Sequence, residues 1–241
     1  MNCWTIRAGA GAALLALAVA ACGGSGSSGT APAAPQPTAS SPAANGVATM
    51  GADQATRTAL AAMSSARSVH VAGTFSADGR TEHFDMRFAG ESAADGSFTV
   101  NGAVIHVVSC GGAMYLKAGQ DGWDAMGNPA GTAGMMAGRW FKVGPAQAPG
   151  STPLSFAFLT GELAAHGTMT GATVARGTLA GHQVAIIAYP DGSRLYVAAT
   201  GPAYPLRFDV TGGTGGQRDF SDYGAAVRIV APAGATDLGN G

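Results

Sequence analysis

The side chains in this 241-residue sequence that could carry chemistry are five histidines, three cysteines, nine methionines and fourteen acidic residues. His83 and Asp85 stand at i, i+2, a spacing that puts both on one face of a strand. A metal site there would need further ligands converging on it. With His70 and His106 of the same parity, a solvated polar face is the simpler reading; His166 and His182 stand apart from it. Met114, Met126, Met135 and Met136 offer soft thioethers of the kind that hold copper(I). Loop methionines beside an apolar surface explain them more economically. Asp219 and Asp222 could act as an acid/base pair, but they sit near a turn. Cys110 lies beside Gly111-Gly112 without a basic neighbour to lower its pKa, and reads as an inert half-buried thiol. No Gly-x-Ser-x-Gly, phosphate loop, His-Glu-x-x-His or Cys-x-x-Cys occurs. The expectation is therefore no enzyme, with no catalytic residue, metal or cofactor.

One thiol is placed differently. Arg7 is the only charge before Asp53, and it precedes the small, apolar run Ala8 to Ala21. A positive start, a short apolar stretch and small residues before a cut site make a secretory signal. The run is too short for a comfortable membrane span. Its end, Val19-Ala20-Ala21-Cys22, resembles a bacterial lipobox, which implies diacylation of Cys22 as the first residue of the mature chain. Residues 1–21 are then the signal peptide, which takes Cys3 with it, and residues 22–51 a Gly/Ser/Pro/Ala-rich tether. Two acyl chains suffice for stable anchoring. With Cys22 lipidated, a domain without disulfides is expected.

Composition sets the class of the remaining chain. Only 11% of residues are charged and the formal net charge is −1, without the basic stripe that nucleic acid binding requires. Apolar residues make up 46%, too many for a mostly disordered chain. Residues 52–238 are long enough for one sizeable core.

The pattern within that stretch is a run of hairpins. A helix is expected over Asp53 to Arg67, capped by Asp53, with Ala55, Leu60, Ala61, Met63 and Ser64 near one face. From Ser68 the period becomes two. Turns at Asp78-Gly79, Asn101-Gly102 and Gly111-Gly112 pair Val71 with Met86, Phe98 with Ile105 and Val107 with Leu116. All three registers then agree on one apolar face: Val69, Val71, Phe75, Phe84, Met86, Phe88, Phe98, Val100, Ile105, Val107, Met114 and Leu116. The other face carries His70, Thr74, His83, Asp85, Arg87, Thr99, His106, Tyr115 and Lys117. Residues 120–150 read as a loop region containing a short strand at Arg139 to Val143. A second helix starts at Thr152-Pro153; Phe156, Leu159 and Leu163 lie among apolar residues covering most of its circumference. Further strands are expected at Thr173 to Leu179, His182 to Tyr189 and Arg194 to Ala199, with Val184, Ile186, Leu195 and Val197 assigned to one face. Leu206 to Val210, Gln217 to Phe220 and Ala226 to Val230 complete the sheet. Nine to eleven strands and two to four helices make an α+β fold with one strongly curved antiparallel sheet.

At this level the chain resembles the actinobacterial lipoproteins of the LppX/LprG kind, which share the LolA-like half-barrel. The resemblance is carried by the lipobox and tether, by the helix end Ala61 to His70, and by Met114-Tyr115-Leu116-Lys117 followed by Trp123. Arg139-Trp140-Phe141-Lys142-Val143 and the closing stretch Asp219 to Pro232 complete it. The Met-rich loop at 125–138 departs from the pattern. The resemblance implies an incomplete barrel with helices covering its concave face. It implies an apolar cavity for the acyl chains of a lipid or lipoglycan, lined by these apolar sheet and helix residues. An exported location is implied too, on the outer leaflet of the cell membrane or in a periplasm-like space, with an envelope transporter or membrane protein as a further partner and no nucleic acid. Periodicity does not distinguish such a cavity from a filled core. The alternative is an envelope interaction or sensor module, with a filled core and no lipid ligand.

Overall fold

The computed structural model describes residues 43–144 and 156–238, apart from residues 78, 91 and 214. Residues 1–42, with the leader and Cys22, and the helix start at Thr152-Pro153 lie outside the described residues.

The chain folds as two antiparallel meanders. The first runs through β1 (Ser68–Ala77), β2 (Arg80–Ala89), β3 (Ala93–Val100), β4 (Ala103–Cys110), β5 (Ala113–Ala118) and β6 (Phe141–Val143). The second runs through β7 (Thr173–Leu179), β8 (His182–Ala188), β9 (Arg194–Ala198), β10 (Pro205–Val210) and β11 (Gly216–Ser221). They join where β11 pairs with β1, and β12 (Thr236–Asp237) lies parallel to β6. The order β12-β6-β5-β4-β3-β2-β1-β11-β10-β9-β8-β7 gives one curved sheet with two open edges, not a closed barrel. The expected α+β class with a curved, helix-covered sheet is what forms.

The first meander has the register that its turns dictate. Val71 pairs with Met86, Phe98 with Ile105 and Val107 with Leu116. Asn101 and Gly102 both adopt the positive φ that a type I′ turn needs, 52° and 80°. The second meander differs in one hairpin. A four-residue loop would set Val184 and Ile186 on the face of Leu195 and Val197. The loop instead spans Tyr189 to Ser193, closed by Tyr189 N–H to Ser193 O (2.9 Å). Ala185 therefore pairs with Val197 and Ile187 with Leu195. One extra residue reverses every side chain, so Ala185 and Ile187 face the core while Val184 and Ile186 face away from it.

Helices cover the apolar face. α1 (Ala52–Ser65) starts one residue before Asp53, with Gly51 at its cap. It buries Ala55, Thr56, Ala59 and Met63, whereas Ala61 and Ser64 are exposed. The apolar pattern misplaces this face because a threonine belongs to it. The stretch read as a loop forms α2 (Gln120–Ala125) and α3 (Ala130–Met136). Gly122 lets α2 lie flat on the sheet, since a Cβ there would meet the Ala118 Cβ at 2.7 Å and the Ile105 Cδ1 at 2.8 Å. Trp123 then packs edge-on against Phe141, with Ala133 and Met136 buried beside it. α4 (Phe156–Gly167) buries Leu159, Leu163 and His166, and Phe156 is half-buried. Its other side exposes Ala157, Gly161, Ala164 and Ala165, so it is amphipathic through small residues rather than buried all round.

Both ends of the domain depart from the sequence reading. Residues 43–51 are docked, not part of a tether. Ala44 bridges Thr200, the Asn45 side-chain amide donates to Ala198 O (2.8 Å), and Val47 is fully buried. Ala226 to Val230 forms no strand, although Ile229 is buried. The sheet ends instead on β12.

Candidate functional site

The resemblance implies a cavity between the sheet and the helices that cover its concave face. Val69, Val71, Phe84, Met86, Phe88, Phe98, Ile105, Val107, Leu116, Leu159, Leu163, Leu195 and Val197 are all brought together there and buried. Phe75, Val100, Met114 and Phe156 pack against them at the margins, half-buried. Val184 is buried outside this cluster and Ile186 is half-buried on the opposite face. Val71, Met86, Ile105, Leu195 and Val197 are each 0% exposed. A side chain lining a void of water size would keep accessible surface, so these side chains touch one another. Where α1 and α4 meet the sheet, a cavity of about 30 Å³ opens between Met63, Ser64, Arg67, Ser68, Phe88, Gly90 and Phe156. It has room for a water or two. As it stands, the concave face is packed.

That packing contains a polar cluster at α4. Arg218 of β11 is 1% exposed, the largest fully buried side chain among the described residues. It shares strand parity with Phe220 and so points to the apolar side. Its Nη2 donates to Glu162 Oε1 of α4 (3.1 Å). Arg218 Nε and Nη1 and Glu162 Oε2 are buried without a hydrogen-bond partner among the described residues. Burial pushes the Glu162 carboxyl above its ordinary pKa, opposed by Arg218 and His166. Burial also lowers Arg218, opposed by Glu162.

One turn along α4, the ring of His166 stands edge-on to Phe208 and Tyr189. Its Nδ1 contacts Glu162 O (2.8 Å) and its Nε2 contacts Asp191 Oδ2 (3.1 Å). Both partners accept, so both hydrogen bonds form when the ring carries both protons. Burial works against the Asp191 carboxylate, but hydrogen bonds from the Ser193 amide and hydroxyl, with His166 nearby, hold its pKa below the usual value. Tyr189 is pushed up to about 12, mainly by burial. Its hydroxyl reaches Thr56 Oγ1 (2.9 Å), whose own proton goes to Ala52 O. Thr56, Tyr189, His166 and Asp191 thus tie α1, α4 and the β8–β9 loop together.

None of Arg218, Glu162 and His166 is singled out as a functional residue by pattern. Glu162 does carry a signal, as the only acid between Asp124 and Asp191. The other polar candidates stay apart. His70 contacts Asp85 (2.8 Å), while His83 lies exposed. Asp219 is held by Arg207 (2.6 Å), and Asp222 is exposed 3.8 Å from His70. Met135 is exposed, Met136 buried, and Met114 and Met126 are half-buried. Among the described residues no group of three or more His, Cys, Asp or Glu side chains could hold a metal ion. None of their helices is long and apolar enough to cross a membrane. Cys110 is buried beside the Gly111-Gly112 turn.

No family model matches this chain, and no curated protein matches it. Among solved structures it is similar to the lipoprotein LppX of Mycobacterium tuberculosis, with 16% identity over 74% of this chain and 97% of that one, at a TM-score of 0.46. A DUF1329 family protein of Desulfovibrio piger is more distant, with 9% identity over 74% and 95% of the two chains and a TM-score of 0.29. The architecture of the chain stands on its own strand pairing.

Proposed function

We propose that this chain is an exported lipoprotein, tethered to the membrane through Cys22, that binds the acyl chains of a lipid or lipoglycan between its curved sheet and helices α1 and α4. The observation that carries this reading is a continuous sheet face, apolar from β6 to β8 apart from Glu82 and Arg218, that is covered by helices. Such a face becomes an acyl site when α4 lifts, because each CH₂ taken from water contributes about 0.8 kcal/mol. The test is solvent extraction of the purified full chain and mass spectrometry of the extract. Acyl lipid should be recovered in amounts comparable to the protein. Recovery of none, with no uptake from lipid vesicles, overturns the reading.

The filled concavity favours a second reading, an envelope interaction or sensor module with no lipid ligand. It is distinguished by the same extract being empty while one envelope protein is retained specifically by the chain. The completeness of the packing also fixes which variants are informative. Ile105→Trp would drive an indole into Gly122 and Ala118 and destabilise the fold by about 1–3 kcal/mol, so it does not report on lipid.

A further inference from the structure

The Arg218–Glu162 pair is left incomplete in a particular way. Five N–H groups belong to a guanidinium, and this one is buried with a single hydrogen bond, to Glu162 Oε1 at 3.1 Å. Nε and Nη1 are donors without acceptors, and Glu162 Oε2 is an acceptor without a donor. Buried polar groups are normally paired, and a set that is not calls for a missing group. On β1, opposite Arg218, stands Gly73, which has no side chain to complete it. On β10 the opposite residue is Phe208, which is apolar. His166, the nearest other polar ring, is committed to Glu162 O and Asp191. Among the described residues no side chain closes the site.

The three open positions specify what would. Guanidinium and carboxylate together are close to neutral, so an anion would meet Glu162 and an ammonium would meet Arg218, each unfavourably at this burial. A neutral group with acceptors for Nε and Nη1 and one hydroxyl donor for Oε2 satisfies all three. An ester carbonyl beside a free hydroxyl has that composition. We propose that Arg218 and Glu162 form a polar subsite within the apolar layer for the hydroxyl–ester end of a partially esterified glycerol, a diacylglycerol-type lipid. The subsite rests on the proposed lipid binding, because access to it requires α4 to lift from the sheet and acyl chains to enter along the apolar face.

The experiment presents the full chain with phosphatidylcholine vesicles doped with dioleoylglycerol or with triolein, which has the same esters and no hydroxyl. Lipid transferred to the protein is counted by mass spectrometry. The wild type should take up dioleoylglycerol at least about tenfold in preference to triolein, as a buried hydrogen-bonding site rejects an analogue lacking its hydroxyl. Glu162→Gln, which turns one acceptor into a donor, and Arg218→Met should lose that preference while still taking up triolein. Should Arg218→Met fail to fold, Glu162→Gln alone decides. Equal uptake of both lipids by the wild type, or an unchanged preference in Glu162→Gln, overturns the subsite and leaves a structural ion pair, with lipid binding itself intact. Uptake of neither lipid overturns the lipid reading and the subsite with it.

Discussion

Two acids on the apolar side of the sheet, Glu82 of β2 and Glu162 of α4, are treated in opposite ways by their surroundings. Glu82 shares the parity of Phe84, Met86 and Phe88 and is 4% exposed. It is tolerated because it accepts hydrogen bonds from the Thr99 hydroxyl, the Asn101 amide (2.7 Å) and the Gly102 amide (3.4 Å), clamping the neighbouring turn. Burial alone would raise its pKa, but these bonds and nearby Arg80 outweigh it and lower the value. Its contribution to stability is therefore present above the ordinary glutamate pKa and lost as pH falls through the lowered folded value. Glu82→Gln places an N–H₂ against donors and should cost about 1–3 kcal/mol in urea unfolding near pH 7. The gap from wild type should shrink below about pH 4 as the wild-type carboxylate protonates. A gap that does not change with pH would show that the side chain acts by packing alone. The Glu162–Arg218 pair is the opposite case, with polar atoms left open. Neither role is legible in the sequence, because hydrophobic periodicity treats a charge on an apolar face as noise. What decides each role is whether partners from other elements arrive.

At the scale of elements, legibility tracks turn chemistry. Asn101-Gly102 and Gly111-Gly112 each fix a two-residue loop, so strands β3 to β5 can be registered without coordinates. Pro190-Asp191-Gly192-Ser193 marks a turn without fixing its length. The one-residue error there puts Val184 and Ile186 on the wrong face while leaving the strands themselves in place. Helices α2 and α3 escape the pattern because Gly-rich sequence carries little helical propensity, and their stability comes from Trp123 and Met136 docking on the sheet. For the proposed lipid loading the helix that matters is α4. An ideal Cβ on Gly167 would lie 3.3 Å from the Thr56 Cβ on α1, close to disulfide geometry. In Thr56→Cys/Gly167→Cys, oxidation should therefore bind α4 to α1. While the S–S bond is intact the helices cannot part at that end, so lipid uptake should fall at least about tenfold in the oxidised form and recover on reduction. Wild type treated identically supplies the baseline. Uptake unaffected by the crosslink would mean that α4 and α1 do not separate during loading.

For the whole molecule, the shortage of charge has a spatial meaning. Glu82, Glu162, Arg218 and His166 are drawn inward, while most other charges sit on the far face of the sheet or at turns. Residues 43–51 dock onto β9 and the adjoining loop, so the folded body includes residues ahead of α1. The proposed anchor at Cys22 and the proposed lipid site are separate parts of one chain, and they should fail separately. Cys22→Ala removes the thiol that diacylation requires, and no helix among the described residues could replace it as a membrane span. The variant should leave the membrane fraction and appear in the soluble envelope or medium, with the wild-type N-terminus carrying a diacylglyceryl mass on Cys22. Released protein should still take up acyl lipid from vesicles at the wild-type level, because the apolar face and the Arg218–Glu162 pair are untouched. A variant that stays with the membrane would assign its attachment to another surface. A released variant that cannot load would make the anchor part of the binding site.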